Sequence, residues 1–481
     1  MSLCNNPSFC AIIGHKNRLN AMEIEKDSTV RGAALHRDWT KGSVIGNLWS
    51  LSWPVIISQS LTVLGPTIDM IWVGKLGAAS FAGVGVSGMV IMAMNSLVMG
   101  LFTGLRAMIA RFVGAQDTRS ANHVAQQAFV IGIVFSVFMA AIGIFLAESI
   151  LMLFGVEADV VAEGAAYMRI QLAGSVTMSF AMIAQAIMQA SGDTVNPMRI
   201  SVIFRVFHLI LCPFLIFGWW IFPSLGVSGA ALANVISQSL GGILGLWFLF
   251  TGHTRLRLTL RDFRFSRNIL WRLTKIGVPA SITGMQRFLP YLVLVWFIAP
   301  FGTDAVGAHS LMQRIDTFIR MPAGALGMAS GVLAGQNLGA GQPKRAEKGG
   351  WIAVGLFTAA MAIGSVLIWF YAENIVRIFT TEPGLVEIAG TFMRIQIAGY
   401  MVFGLTIVIS LCVEGVGDTL VTMTVTLLTM WLIQVPLAYL LPNHTGLGVY
   451  GVQWAIVSAL VLRAAIYSIY FRMRWWKQRK I

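Results

Sequence analysis

Long apolar runs, broken by short polar stretches, fill almost the whole chain beyond the first forty or so residues. Each run reaches the roughly 20 residues that a helix needs to cross the hydrocarbon of a bilayer. None shows the alternation of a membrane β-strand. In lipid a backbone must satisfy its own hydrogen bonds, so helices are the default reading. The pattern predicts twelve spans, at 48–73, 83–109, 122–146, 164–190, 195–221, 227–251, 274–300, 306–333, 350–371, 388–413, 419–441 and 448–471.

The runs fall into two matching sets. Pro54 and Pro279, Gly77 and Gly302, Gly114 and Gly339, Ala115 and Ala340, and Gly174 and Gly399 all stand 225 residues apart. The same offset joins MRIQ at 168–171 to MRIQ at 393–396, and GDT at 192–194 to GDT at 417–419. LGVSG at 225–229 and LGVYG at 447–451 are 222 apart, which implies one three-residue deletion. An even number of helices per repeat gives both halves the same orientation. The expected fold is therefore an all-α polytopic membrane protein, with twelve transmembrane helices in two six-helix lobes. A pseudo-two-fold axis along the membrane normal would relate the lobes, an arrangement suited to alternating access. The expected segments are an N-terminal tail (1–42), an N-lobe (43–251), a linker (252–271), a C-lobe (272–472) and a C-terminal tail (473–481).

Composition agrees, with 57% hydrophobic and 11% charged residues, against about 25% charged in soluble domains. The net charge of +14 would suit nucleic acid, but its distribution points elsewhere. Basic residues collect before the first span, in 255–272, at Lys344, Arg345 and Lys348, and after Arg472, while the alternate loops near Pro223, Gly302 and Pro442 carry none. This is the positive-inside asymmetry. It predicts a multi-pass protein of the cell (cytoplasmic or inner) membrane with both termini in the cytoplasm and no nucleic-acid partner. Residues 1–40 lack the continuous apolar core of a secretion signal, and the tail reads as partly disordered. The four cysteines show no metal or redox spacing, so no metal and no disulfide is expected. HExxH, GxSxG and phosphate-loop signatures are absent, which argues against an enzyme.

Within this frame a few polar residues stand out. Asp69, in LGPTIDMIWVGKLG (64–77), is a carboxylate inside the first span. At mid-bilayer it costs about 2.5–3.5 kcal/mol, and such residues are functional by default. The second half holds Gln286 and Arg287 in the seventh span, Arg314, Asp316 and Arg320 in the eighth, and Glu414 at the end of the tenth. Asp316 and Arg320, four apart, are expected to bridge along one helix face, with Arg287 pairing to Asp316 or Glu414. The other reading is a mixed-charge cleft wall that recognises substrate. Asp193 and Asp418, in the GDT turns, are expected to cap the helices that follow.

WP at 53–54, IDMIWVGKLG at 68–77, VGAHS at 306–310, GQNLGAGQPKRA at 335–346 and the paired GDT turns resemble the multidrug and toxic compound extrusion (MATE) exporters, over roughly 43–470. The resemblance implies export of amphipathic, mostly cationic compounds from the cytoplasm through a cleft between lobes, by a monomer that needs no cofactor beyond a coupling H+ or Na+. Archaeal-type members pair the first-helix Asp with an Asn and an Asp four apart in helix five. Here His208 and Cys212 stand at those positions. A thiol is a poor ligand for a hard cation, whereas an imidazole titrates near neutrality, so proton coupling through Asp69 and His208 is expected in preference to sodium. Asn234 falls near a polar contact that some relatives make to the cation site, although structural hydrogen bonding is its expected role. Some relatives carry a Glu at or beside Arg287, so a C-lobe sodium site is not expected. Alternatives to drug export are a lipid-linked precursor flippase, or an exporter of an anionic or zwitterionic metabolite that uses the C-lobe arginines.

Overall fold

The structure is a computed structural model that describes residues 38–259, 263–286 and 289–478. Among these residues the fold is built from helices alone. In the first half they are α1 (Val44–Val73), α2 (Ala78–Gly114), α3 (Thr118–Met152), α4 (Ala158–Ala173), α5 (Ser175–Ser191), α6 (Val195–Phe217) and α7 (Gly226–Thr251). In the second half they are α8 (Arg267–Met285), α9 (Leu289–Ile298), α10 (Thr303–Gly339), α11 (Pro343–Arg377), α12 (Pro383–Gly415), α13 (Thr419–His444) and α14 (Tyr450–Met473).

Ten of these helices are singly long and apolar enough to cross a membrane, and α4 with α5 forms an eleventh span bent by 49°. The expected seventh span falls on α8 and α9, on either side of residues 287–288. Several helices outrun their apolar runs: the spans expected at 83–109 and 306–333 are the 37-residue helices α2 and α10. Their extra turns carry polar residues such as Arg111 and Asp304, which hydropathy reads as loop. Helices α12 and α13 each contain a widened π turn, at Gly404–Val408 and Leu428–Gln434, a form of local irregularity common at functional positions. Apolar side chains such as Phe145 (79% exposed) and Phe370 (71%) cover the outer faces, as a lipid-facing surface requires.

The repeat is visible in side-chain contacts. Arg169 pairs with Glu148 at 2.7 Å, and their counterparts 225 residues on, Arg394 and Glu373, pair at 3.0 Å. Gly192 and Gly417 both adopt left-handed backbone, at φ 92° and 89°, as a turn before a new helix demands. At the end of the bundle that carries the basic loops, Gly114 lies on the Gln336 backbone while Gly339 lies on that of Arg111. Residues 111 and 114 correspond to 336 and 339, so the contact is self-complementary, as a two-fold axis requires. Further along the same half, Gly100 abuts Ser281, whose hydroxyl donates to the Leu97 carbonyl, and Gly277 abuts Leu101. The lobes thus close on each other through small residues near this end.

The two GDT turns differ. Asp193 caps α6 by accepting from the Asn196 backbone N–H at 3.1 Å. Asp418 makes no capping bond to α13; it accepts the Tyr470 hydroxyl instead. The expected linker 252–271 is helical from Arg267 onward, and its preceding part is tied to α3 by Gln127, which donates to the Arg264 carbonyl at 2.8 Å. The chain ends are anchored within the described residues. Arg345 holds the Lys41 and Gly42 carbonyls, both at 2.8 Å, Trp476 stacks on Phe471 at 4.8 Å, and Lys477 pairs with Glu347. Residues 1–37 and 479–481 of the expected tails lie outside the described residues.

Candidate functional site

Three helices of the N-lobe converge on Asp69. Helix α1 supplies Gly65 and Asp69, four apart and therefore on one face. Helix α4 supplies Tyr167 and Gln171, again four apart, and α6 supplies Arg205, His208 and Cys212 at helical spacing. Asp69, His208 and Cys212 have no exposed surface, Tyr167 is 5% exposed and Arg205 7%.

The Asp69 carboxylate is fully engaged. Its Oδ1 lies 3.1 Å from His208 Nε2 and 3.6 Å from Cys212 Sγ, and its Oδ2 accepts from the Tyr167 hydroxyl at 3.1 Å. Gln171 Nε2 donates to the Tyr167 oxygen at 3.1 Å, fixing the hydroxyl so that its proton points at Asp69. Behind the imidazole, Arg205 Nη1 stands 3.2 Å from His208 Nδ1. A guanidinium only donates, so Nδ1 is the acceptor there. A neutral ring then carries its proton on Nε2, facing Asp69. Arg205 donates to the imidazole, whose Nε2 lies against the carboxylate at ion-pair distance without the alignment of a hydrogen bond, and one buried positive charge answers one buried negative charge.

A cation could meet one oxygen, one nitrogen and one sulfur here, since the ligand atoms of Asp69, His208 and Cys212 lie within 4.8 Å of one another. Sodium and other hard cations prefer several oxygens, and this set offers a single carboxylate. A proton needs only one acceptor.

Asn234 does not join this set: its Oδ1 accepts from Gln238 on its own helix at 2.9 Å, which is the structural bonding expected of it. In the C-lobe, Asp316 is buried and accepts from the Tyr400 hydroxyl at 2.8 Å. The expected Asp316–Arg320 bridge does not form. Arg320 lies exposed over the Phe403 ring at 5.1 Å, turned outward on α10 while the buried Asp316 accepts from Tyr400. Arg314 is exposed on the same helix, and Gln286 is buried at the end of α8. Arg287 lies outside the described residues. Glu414 is 8% exposed and faces Arg106 of α2 across the lobe boundary, where both border a small cavity with Thr103, Met328 and Leu411.

Sequence reasoning passed over Tyr167, Arg205 and Arg106. A base such as Arg205, inside an apolar run and three residues before His208, was a readable signal. Tyr167 gave none beyond its spacing to Gln171. Outside the spans, burial holds the Asp193 carboxyl above its ordinary range although Asn196, Arg255 and Arg199 pull it down, and burial lowers the Arg255 guanidinium, opposed by Asp193 and Asp38.

The comparisons with known proteins agree with this architecture. The MatE family model matches twice, at residues 54–214 and 279–440, once per lobe. The chain is 25% identical over 451 residues to the "Probable multidrug resistance protein YpnP" of Bacillus subtilis (strain 168), covering 92% of this chain and 98% of that one. It is 24% identical over 394 residues to an "FAD transporter" of Shewanella oneidensis, covering 82% and 87%. A solved structure described as the outward-facing conformation of a multidrug resistance MATE family transporter superposes with a TM-score of 0.84, at 24% identity, over 91% of this chain and 97% of that one. At that identity the structural likeness speaks for the fold.

Two matched helical lobes, the first holding a buried polar site, together with a family model matched once per lobe, make this a multi-pass membrane transporter rather than an enzyme. The chain belongs to the MatE family, whose model spans most of both lobes.

Proposed function

We propose that the protein is a secondary antiporter that exports amphipathic, cationic compounds from the cytoplasm in exchange for protons taken up at Asp69, working as a monomer with both termini cytoplasmic. One observation carries the proton reading: a fully buried carboxylate is surrounded by a hydroxyl, a thiol and an imidazole, with one guanidinium as its counter-charge. Protonating Asp69 removes the negative charge and leaves Arg205 uncompensated, so proton binding changes the packing energy of the N-lobe. A ligand shifts a conformational equilibrium only through such a difference. Cys212 and Tyr167 hold the carboxylate by hydrogen bonds, His208 stands against it as the group through which Arg205 reaches the site, and Asn234 contributes to helix packing.

The test is export of a cationic dye from proteoliposomes, driven in turn by a pH jump and by a sodium jump at constant pH. Export on the pH jump alone, abolished in a membrane-inserted Asp69→Asn variant, supports the reading; full export driven by sodium at constant pH overturns it. A second reading, export of an anionic metabolite, draws on the exposed Arg314 and Arg320 and on the relative described as an FAD transporter. Competition for dye export by FAD, lost in an Arg314→Gln/Arg320→Gln double variant, would favour it.

A further inference from the structure

Asp69, His208 and Cys212 supply an oxygen, a nitrogen and a sulfur within 4.8 Å of one another. This mixed donor set suits zinc or cobalt much better than sodium. Yet a zinc ion needs the lone pair of His208 Nε2, and Nε2 carries the ring proton because Arg205 occupies Nδ1 at 3.2 Å. Freeing Nε2 in a neutral ring would move its proton to Nδ1, where it would face the N–H groups of the guanidinium. Metal-bound histidines in proteins have the opposite arrangement, donating their second N–H to an acceptor. A guanidinium in this place also adds positive charge beside any incoming cation.

We propose that Arg205 is the residue that reserves the Asp69 site for protons, by fixing the imidazole in the tautomer that cannot ligate a metal. Gly65 makes this possible. A Cβ there would fall 2.7 Å from Arg205 Cζ and from Nη2, so the guanidinium reaches His208 only because residue 65 has no side chain. Removing the arginine, or pushing it aside with a methyl group at residue 65, unmasks a site for a thiophilic divalent cation. Cys212 then serves as thiolate ligand, its proton released to solvent on metal binding.

This inference rests on the reading of Asp69 as the coupling site, but its test needs no transport. The purified full-length protein in detergent, as wild type, Arg205→Met and Gly65→Ala, is titrated with Co2+ and followed by the thiolate-to-cobalt absorption in the near ultraviolet and the visible d–d bands. Both variants should develop the bands at one Co2+ per chain, with Zn2+ competing at least tenfold more tightly than for wild type. Cys212→Ser in the Arg205→Met background should abolish them. Gly65→Ala keeps every polar group of the site, so it remains informative if Arg205→Met misfolds. Folded variants without the bands, or bands in wild type that Cys212→Ser removes, overturn the proposal. Loss of proton-driven export in Asp69→Asn tests the coupling reading separately, so the two can fail independently.

Discussion

Replacing Asp69 with asparagine separates two accounts of the buried carboxylate by the sign of a stability change. A lone carboxylate at mid-bilayer costs about 2.5–3.5 kcal/mol, and asparagine would relieve most of that, making the variant more stable. The structure argues the reverse. Asp69 is buried completely and Arg205 almost so, and His208 bridges them. Deleting one member of a buried pair strands the other charge, at a cost of about 3–5 kcal/mol. Asparagine keeps the volume and can still accept from Tyr167, so little of the change comes from packing. Asp69→Asn should therefore destabilise the N-lobe by about 3 kcal/mol or more, read by reversible unfolding in mixed detergent micelles at neutral pH. Arg205→Gln alone should also destabilise, and the double variant should recover much of the loss, with a coupling energy towards the upper end of the 0.5–3 kcal/mol seen for contacting residues. An Asp69→Asn protein at least as stable as wild type, or two single effects that simply add, would refute the charge-pair argument.

Three further outcomes follow from the geometry. Gly114→Ala would set a Cβ about 2.6 Å from Gln336 Cα, nearer than side chains pack, so the backbones must shift, at a cost of about 1–3 kcal/mol; it should bias the lobes apart at the basic-loop end, seen as a longer distance between spin labels across that end, and Gly339→Ala should do the same from the other lobe. Asp193 has a carboxyl raised by burial above its ordinary 3.8, so its contribution to stability is full below that value and is lost as pH rises through the folded pKa; Asp193→Asn, which can still cap, should flatten the acid-side slope of thermal stability against pH without lowering stability at neutral pH. Arg205→Gln removes a buried positive charge that opposes a cationic substrate under the proposed exchange; fluorescence titration should show a cationic dye binding more tightly, with slower turnover.

The twelve-span pattern and the duplication were legible because hydropathy and register are linear properties. Pro54 and Pro279 announce the repeat without any knowledge of packing, and the Arg169–Glu148 and Arg394–Glu373 pairs, which sequence reasoning passed over, keep the same offset. The meeting of Asp69 with His208 and Cys212 was implied by the resemblance to the MATE exporters, whose first-helix Asp pairs with two helix-five positions four apart, and the four-residue spacing on α6 is consistent with it. Contacts that depend on helix rotation were not. Asp316 and Arg320 have the right spacing for a bridge, yet α12 brings Tyr400 to the acid and Phe403 under the arginine. Glu414 meets Arg106 only once the lobes dock, and the Asp418 carboxylate is diverted from its cap by Tyr470, 52 residues away. Each of these involves a partner from another helix whose phase the sequence does not state.

The arginine also gives the proposed exchange its direction. With Asp69 ionised, the N-lobe site is neutral overall and a cationic substrate meets no net repulsion from it. With Asp69 protonated, the same site carries the whole charge of Arg205, buried and without an anion beside it. A cation in the cleft then leaves more easily in the state that has just gained a proton from outside, while proton release towards the cytoplasm restores a site tolerant of the next substrate. Competition of this kind needs no contact between substrate and carboxylate; a shared electrostatic field and a cleft of low dielectric are sufficient. Reversing the substrate's charge would invert the logic, because a protonated site would then attract the cargo it has to release. Under the proposed exchange, the charge of Arg205 suits a cationic cargo better than an anionic one.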